Sequence, residues 1–206
     1  MSGLTEITPE AYFDCLAISQ SVPRSVGPLS RIEVHLFAYM GCILALIEGK
    51  PVSEWGYAFA LTSSGHPYSL DVDSAIDLLV RQGKLGQDEQ ELLILTEDVG
   101  LSEVEGLGTI RSFQERQHWI RTATECALAL PVGTIKFALG STPGVDAAIA
   151  LGQKRELLGE EDIDRLYQER QLIMEVLGES AVDLLAPAVA WLTMHLVSRD
   201  RVEDTN

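Results

Sequence analysis

The side chains best suited to chemistry in this 206-residue sequence are four histidines, three cysteines and several clusters of acids and arginines. His35, His66, His118 and His195 lie far apart, and none has a second His or Cys at a metal-ligand spacing. His66 precedes Pro67 in a turn and is the one histidine with a loop context. It is a candidate general base or ligand, and equally an ordinary turn residue. His118 has Glu115, Arg116 and Arg121 nearby on a helical pattern, the setting of a solvated face. Cys15, Cys42 and Cys126 form no CxxC pair and sit in largely apolar stretches, so they read as small buried hydrophobes in a reducing compartment. "GSTPG" at 140–144 lacks the lysine of a phosphate-binding loop and reads as a turn between helices. "EGLGTIRS" at 105–112 offers only the amides of a helix start. Glu160, Glu161, Asp162 and Asp164 favour a helix N-terminus. Arg111, Arg116, Arg121, Arg165 and Arg170 either make a modest basic patch or pair with Glu115, Glu161 and Glu169 one helical turn away. No Ser–His–Asp or Cys–His set assembles from the spacing. The sequence therefore predicts a protein that is not an enzyme, with no cofactor and no metal.

Charge narrows the partners. Residues 1–103 hold 5 Lys/Arg and 15 Asp/Glu, a balance of −10, and residues 104–206 hold 10 and 16, a balance of −6, which together give −16. Neither half is basic. Cations that release counterions drive nucleic-acid binding, so strong autonomous DNA binding is not expected. The stretch "MSGLTEITPE" is acidic and does not read as a signal peptide. The longest apolar run is about 12 residues, too short to span a bilayer. A cytoplasmic protein without membrane partners is expected.

The elements that must position these residues read mainly as helices. "ITPEAYFDCLAISQSV" has Thr8 as cap, Pro9 in the first turn and Glu10 beside it. "LSRIEVHLFAYMGCILALIEG" has Ser30 as cap and Gly49 as stop. Ile32, Leu36, Tyr39, Met40, Ile43, Leu44 and Ile47 mark one face, and the opposite side is apolar too, which predicts burial. "WGYAFALT" at 55–62 reads as a strand or bent extended segment. After the turn at Gly65–Pro67, a helix is predicted from about Leu70 to Gln82, capped by Ser69 and ended by Gly83. "KLGQDEQELLILTE" then reads as strand, turn from Gly86 to Glu91, and strand from Leu92 to Leu95, with Thr96 as a cap for the next element. Three glycines in 100–108 mark a candidate boundary. Beyond it the sequence predicts helices over 109–130 and 159–178, with "VGTIKFALG" at 132–140 as a short helix or turn. The last predicted helix is nearly uncharged, with Pro187 expected to kink or divide it.

"RIEVHLFAYM", "YAFALTSSGHPYSLDVDSAIDLLVRQGKL" and "LLILTEDVG" carry a resemblance. A buried helix with aromatic and methionine residues is followed by Tyr57-x-Phe59 and by the turn Gly65–Pro67–Tyr68–Ser69, with His66 set between Gly65 and Pro67. A helix ending in Gly83-x-Leu85 and a step marked by Leu95, Thr96 and Gly100 complete the pattern. Over residues 30–100, about a third of the chain, this resembles the middle components of ABC-three-component systems. Those are winged-helix accessory subunits that accompany an SMC-like ATPase and an effector, often a nuclease, as in Lamassu-type anti-phage systems. Similar patterns occur in antitoxin-like proteins and in accessory subunits of condensin-type complexes.

The expected fold is mainly α: a winged-helix-like part with a small β-wing over 1–100, then a helical part over 101–206. The expected function is a non-catalytic subunit joining an SMC-like ATPase to an effector in a defence complex, touching DNA only within that complex, if at all. The alternative is a winged-helix DNA-binding regulator or antitoxin. Asp71, Asp73 and Asp77 are expected to face solvent on the reading helix and to steer a basic partner. Trp55, Tyr57, Tyr68 and Leu92 are candidate partner contacts, or else residues that complete the core.

Overall fold

The computed structural model describes residues 7–23, 25–62, 65–97, 99–142, 145, 156–178 and 183–203, the last six as backbone only. The chain is mainly helical, with two small antiparallel sheets among the described residues.

Helix α1 (Pro9–Ser21) begins where its caps dictate: the Ala11 N–H donates to Thr8 Oγ1, and Pro9 sits where no intrahelical N–H is needed. Helix α2 (Arg31–Ile47) opens on a capping box. Ser30 N–H donates to Glu33 Oε2 at 2.7 Å, and Glu33 N–H returns to Ser30 Oγ at 3.3 Å. From Val34 to Ile47 every residue of α2 is buried, as expected of a helix apolar on all sides. Ile32, placed on the apolar stripe by periodicity, lies in the first turn outside the core and is exposed. Gly41 lets α5 (Arg111–Ala129) approach, because a Cβ there would stand 2.7 Å from Ile120 Cδ1.

After α2 the chain makes a short 3-10 turn over Val52–Glu54 and runs extended. Trp55, Tyr57, Phe59 and Leu61 alternate inward along it. Its end forms β1 (Ala60–Leu61), paired antiparallel with β2 (Pro67–Tyr68). Helix α3 (Leu70–Arg81) follows within a residue of its predicted span and ends at Gly83, whose φ of +68° suits glycine. Ser69 does not cap it by a side-chain bond; its hydroxyl is buried without a partner. Strands β3 (Leu85–Gln87) and β4 (Leu93–Leu95) form the expected hairpin, with Leu85 opposite Leu95. Asp88 Oδ1 closes the turn by accepting the N–H groups of Gln90 and Leu92. On its other side β4 bridges to the segment between α1 and α2, where Leu29 and Leu93 exchange both N–H···O bonds.

The glycine-bearing stretch is itself a helix, α4 (Val99–Leu107), capped as expected by Thr96 Oγ1 accepting the Gly100 N–H. Gly100 is required there, since a Cβ would come within 2.4 Å of the Lys84 carbonyl oxygen. Helix α5 packs on α1 and α2. Helices α6 (Val132–Gly140), α7 (Glu160–Leu177) and α8 (Leu185–Glu203) complete the fold, with α8 against α5, α6 and α7. Pro187 neither kinks nor divides α8. It falls in the first turn, where its missing N–H has no intrahelical role. No helix is long and apolar enough to cross a membrane among the described residues.

Candidate functional site

Two of the three aspartates of α3, Asp73 and Asp77, are engaged within the fold. Arg31, in the first turn of α2, donates from Nη1 to Asp73 Oδ1 at 3.1 Å and from Nη2 to Asp77 Oδ1. Asp73 also accepts from the Tyr68 hydroxyl at 3.4 Å. The Tyr68 ring lies on His35, with centroids 4.8 Å apart, so this tyrosine is half-buried by a neighbour in the same fold. The pairing of Arg31 with α3 spans more than 40 residues and has no signature in local sequence. Asp71 is partly buried, and Asp77 stays exposed.

Beneath this cluster His35, Ser69 and Asp73 come together, a set the spacing does not suggest. The geometry is not that of a nucleophile. His35 Nδ1 accepts the Ser69 backbone N–H at 3.3 Å, while the Ser69 hydroxyl is buried and bonds to nothing. His35 Nε2 stands 3.9 Å from Asp73 Oδ1. Burial lowers the His35 pKa to about 4, despite Asp73, which favours the charged ring. A neutral imidazole accepting a backbone N–H here joins α2 to the start of α3, and Ser69 Oγ has no path to a substrate.

The second cluster lies in the interior. Asp14, on the inner face of α1, has no exposed surface. Arg116 of α5 grips it with two bonds, Nε to Oδ1 at 2.6 Å and Nη2 to Oδ2 at 2.7 Å, and the Tyr57 hydroxyl donates to Oδ2 as well. The guanidinium carbon stands 3.6 Å from the Trp55 ring centroid. Burial pushes the Asp14 carboxyl up, and Arg116 and Tyr57 pull it back. Burial works against the Arg116 charge, and Asp14 more than offsets it. Trp55 and Tyr57, candidate partner contacts by sequence, are therefore core residues, 3% and 8% exposed. They wall in a buried ion pair. Spacing alone puts Arg116 on a solvated face with its helical neighbours, and the structure turns it inward. Arg111 and Arg121 keep to that face, beside Glu115 and Glu125 one turn on. The available signal is Asp14 itself, an acid within the apolar run "AYFDCLAI".

Outside this pair lies a cavity of about 140 Å³ between the start of α1, the segment after α2 and the first half of α5. Glu10, Lys50, Glu54, Trp55, Glu115 and Trp119 are among its walls. Lys50 Nζ donates to Glu115 Oε2 at 2.8 Å and stands 5.9 Å from the Trp119 ring centroid. Trp55 Nε1 is buried without an acceptor.

The remaining candidates resolve simply. His66 belongs to the β1–β2 connection, where its N–H donates to Thr62 Oγ1. His118 lies 4.0 Å from Glu48, and His195 bonds Glu169, which also accepts from Trp191 Nε1. Glu160, Glu161 and Asp162 occupy the first turn of α7, as their helix-dipole role implies. Residues 143–144 of the "GSTPG" loop lie outside the described residues. The three cysteines are buried and free. Among the described residues no group of three His, Cys, Asp or Glu side chains is placed to hold a metal ion. Leu92 is half-buried in the hairpin turn, and the exposed apolar side chain of that hairpin is Ile94. No family model, curated protein or solved structure matches the chain.

Proposed function

We propose that the chain is a non-catalytic, winged-helix accessory subunit that joins an SMC-like ATPase to an effector, such as a nuclease, in an anti-phage or anti-plasmid defence complex. The order of elements supports the winged-helix half of this reading. A helix (α1), a short extended segment at Leu29, two further helices (α2 and α3) and a hairpin (β3–β4) follow one another, and the segment at Leu29 bridges back to the last strand. The β1–β2 hairpin then stands as an insertion between the second and third helices.

The observation that carries the functional half is the charge of the two elements a winged helix brings to DNA. From Leu70 to Leu95 there are six acids, Asp71, Asp73, Asp77, Asp88, Glu89 and Glu91, against Arg81 and Lys84; Arg31 of α2 pairs Asp73 and Asp77, which leaves Asp71, Asp88, Glu89 and Glu91 outside an ion pair among the described residues. Lys84 is held by Glu103 at 3.0 Å and by the Tyr12 hydroxyl, and Arg81 Nε donates to the Asp77 carbonyl. A surface of this sign repels phosphate and favours a basic protein partner. The exposed side chains of Leu70 and Ile94 add apolar contact to it.

The test is affinity purification of the tagged chain from its native host, with mass spectrometry of the proteins that accompany it. The reading expects an SMC-like ATPase and an effector together. A toxin as the sole companion would instead fit the antitoxin alternative. Once the complex is in hand, Asp71→Asn/Asp73→Asn/Asp77→Asn should slow association, most at low salt. An unchanged rate and salt dependence removes α3 from the interface.

A further inference from the structure

We propose that the groove beside β4 takes an extended segment of a basic partner protein, pairing it with the strand edge at Leu95 and seating one of its apolar side chains. The groove, of about 390 Å³, lies between the end of α1, the segment leading into α2, the hairpin and α4. Val22, Pro23, Pro28, Ile94, Leu95 and Leu101 are among its walls, and among the described residues no charged side chain lines it. Across the hairpin the even-numbered residues bond to one another: Asp88 N–H donates to the Leu92 carbonyl, and Thr96 N–H to that of Lys84. Leu93 and Leu95 therefore point their N–H and C=O groups away from β3. Those of Leu93 are both taken by Leu29. Continued antiparallel pairing would bring Gly27 opposite Leu95, but the Gly27 N–H donates to the Pro23 carbonyl instead, at 3.1 Å. The Leu95 N–H and C=O thus have no backbone partner among the described residues, and they are aimed toward the side on which Gly27 and Pro28 line the groove. An extended chain laid there supplies the bridge that the 23–27 turn gives up, in the manner of strand addition.

A residue paired with Leu95 carries its side chain on the same face of the strands as the Leu95 side chain. That face is the α4 side, because a Cβ built on Gly100 would stand 2.7 Å from Leu95 Cδ1. Leu101, the next residue of α4, is part of the groove wall. The paired residue is therefore the one whose side chain enters, and an aliphatic side chain matches the uncharged lining. Charge decides between partners. Residues 19–29 and 91–105, which frame the groove, contain Glu91, Glu97, Asp98, Glu103 and Glu105 against Arg24. Lys84 takes up Glu103. A second copy of the chain would bring the same acids to face these, whereas basic residues flanking the apolar one are drawn to them. The proposal rests on the protein-binding reading of α3 and its hairpin and extends it, since Ile94, exposed on that hairpin, also lines the groove.

The experiment titrates the peptide acetyl-KKTLTKK-amide into the full isotope-labelled chain and follows the amide signals by NMR. The Trp191 indole N–H, bonded to Glu169, is the internal control. The expected result is a saturable shift of the Ile94, Leu95 and Leu101 signals at about millimolar peptide, with Trp191 unmoved and slower hydrogen exchange at Leu95. Affinity should fall roughly tenfold when the peptide's leucine is N-methylated, and by a similar factor when its lysines are replaced by glutamates. Ile94→Lys, which sets a like charge at the rim on a side chain 48% exposed, should weaken binding as well. Leu101→Ala is a second variant with the same expectation, and a thermal melt reports that each is folded. No shift at Leu95, or equal affinity for the N-methylated peptide, overturns the strand pairing. Equal affinity for the glutamate peptide overturns the basic partner. A dimer seen in sedimentation and dissolved by Ile94→Lys gives the groove to a second copy and overturns the proposal. Copurification of an SMC-like ATPase without peptide binding removes the groove alone, and peptide binding without that companion removes the accessory-subunit reading alone.

Discussion

Two arginine–carboxylate clusters hold this chain together, and they differ in almost everything except their chemistry. Arg116–Asp14 lies inside the molecule, with side chains 5% and 0% exposed. Arg31 with Asp73 and Asp77 lies at the surface, with side chains 32%, 33% and 53% exposed. Water screens the outer cluster and can replace either partner. When Asp14 is removed, the buried Arg116 guanidinium keeps its charge against the Trp55 and Tyr57 rings without the carboxylate that compensates it. The position of an ion pair, rather than its bond lengths, decides what its loss costs.

The sharpest way to break this contrast is to remove one partner of the inner pair. Asp14→Ala should cost about 3–5 kcal/mol in urea unfolding, because it leaves the Arg116 guanidinium buried and uncompensated. Arg116→Ala should cost a similar amount by stranding Asp14. The double variant Asp14→Leu/Arg116→Met should recover much of the loss, since it strands no charge. A double variant no better than the singles would show that the pair's worth lies in packing.

The next effect is tied to pH and belongs to the base of the outer cluster. His35 has a folded pKa of about 4, against about 6.5 when unfolded. The unfolded chain therefore binds the extra proton between these values. Stability from this group is fully present above pH 6.5, falls as pH drops through the window, and levels off below about pH 4. The total is up to about 3 kcal/mol. Chemical unfolding at several pH values, beside an NMR titration of the His35 ring, checks both the sign and the window. A ring that titrates near 6.5 in the folded protein contradicts it.

The smallest stability effect should come from Arg31→Ala. It breaks both outer bonds yet should cost no more than about 1 kcal/mol, less at high salt, because each group returns to water. A loss comparable to that of Asp14→Ala would erase the distinction between the two clusters.

The two clusters also mark how far the sequence can be read. Local signals carry the elements. Thr8 and Pro9 start α1, Ser30 and Glu33 start α2, Gly83 ends α3, and the alternation on either side of Asp88–Glu91 gives the hairpin. Each is a rule acting over a few residues. The inner pair joins positions 14 and 116, 102 residues apart, and no periodicity links them. Arg116 sits among Glu115, Gln117 and His118, so it reads as one more charge on a wet face, and only the rotation of α5 against α1 turns it inward. Pro187 misleads for a related reason: its effect depends on where the helix begins, and that start is set by Asp183, whose Oδ1 accepts the Leu185 and Ala186 N–H groups. The outer cluster is half legible, since the aspartates stand out in α3 and their partner Arg31 belongs to another helix.

The proposal that α3 and its hairpin form a protein-binding face and not a DNA-reading one is tested most directly by binding of the purified chain to fluorescent duplex DNA. Anisotropy should be followed from low to physiological salt, with a random-sequence pool and with fragments from the host locus. The expected result is no saturation at micromolar chain at physiological salt, weaker than the roughly 10⁻⁴–10⁻⁶ M typical of non-specific DNA-binding proteins, and no preference among sequences. Sequence-specific binding at nanomolar concentration by the isolated chain would contradict it.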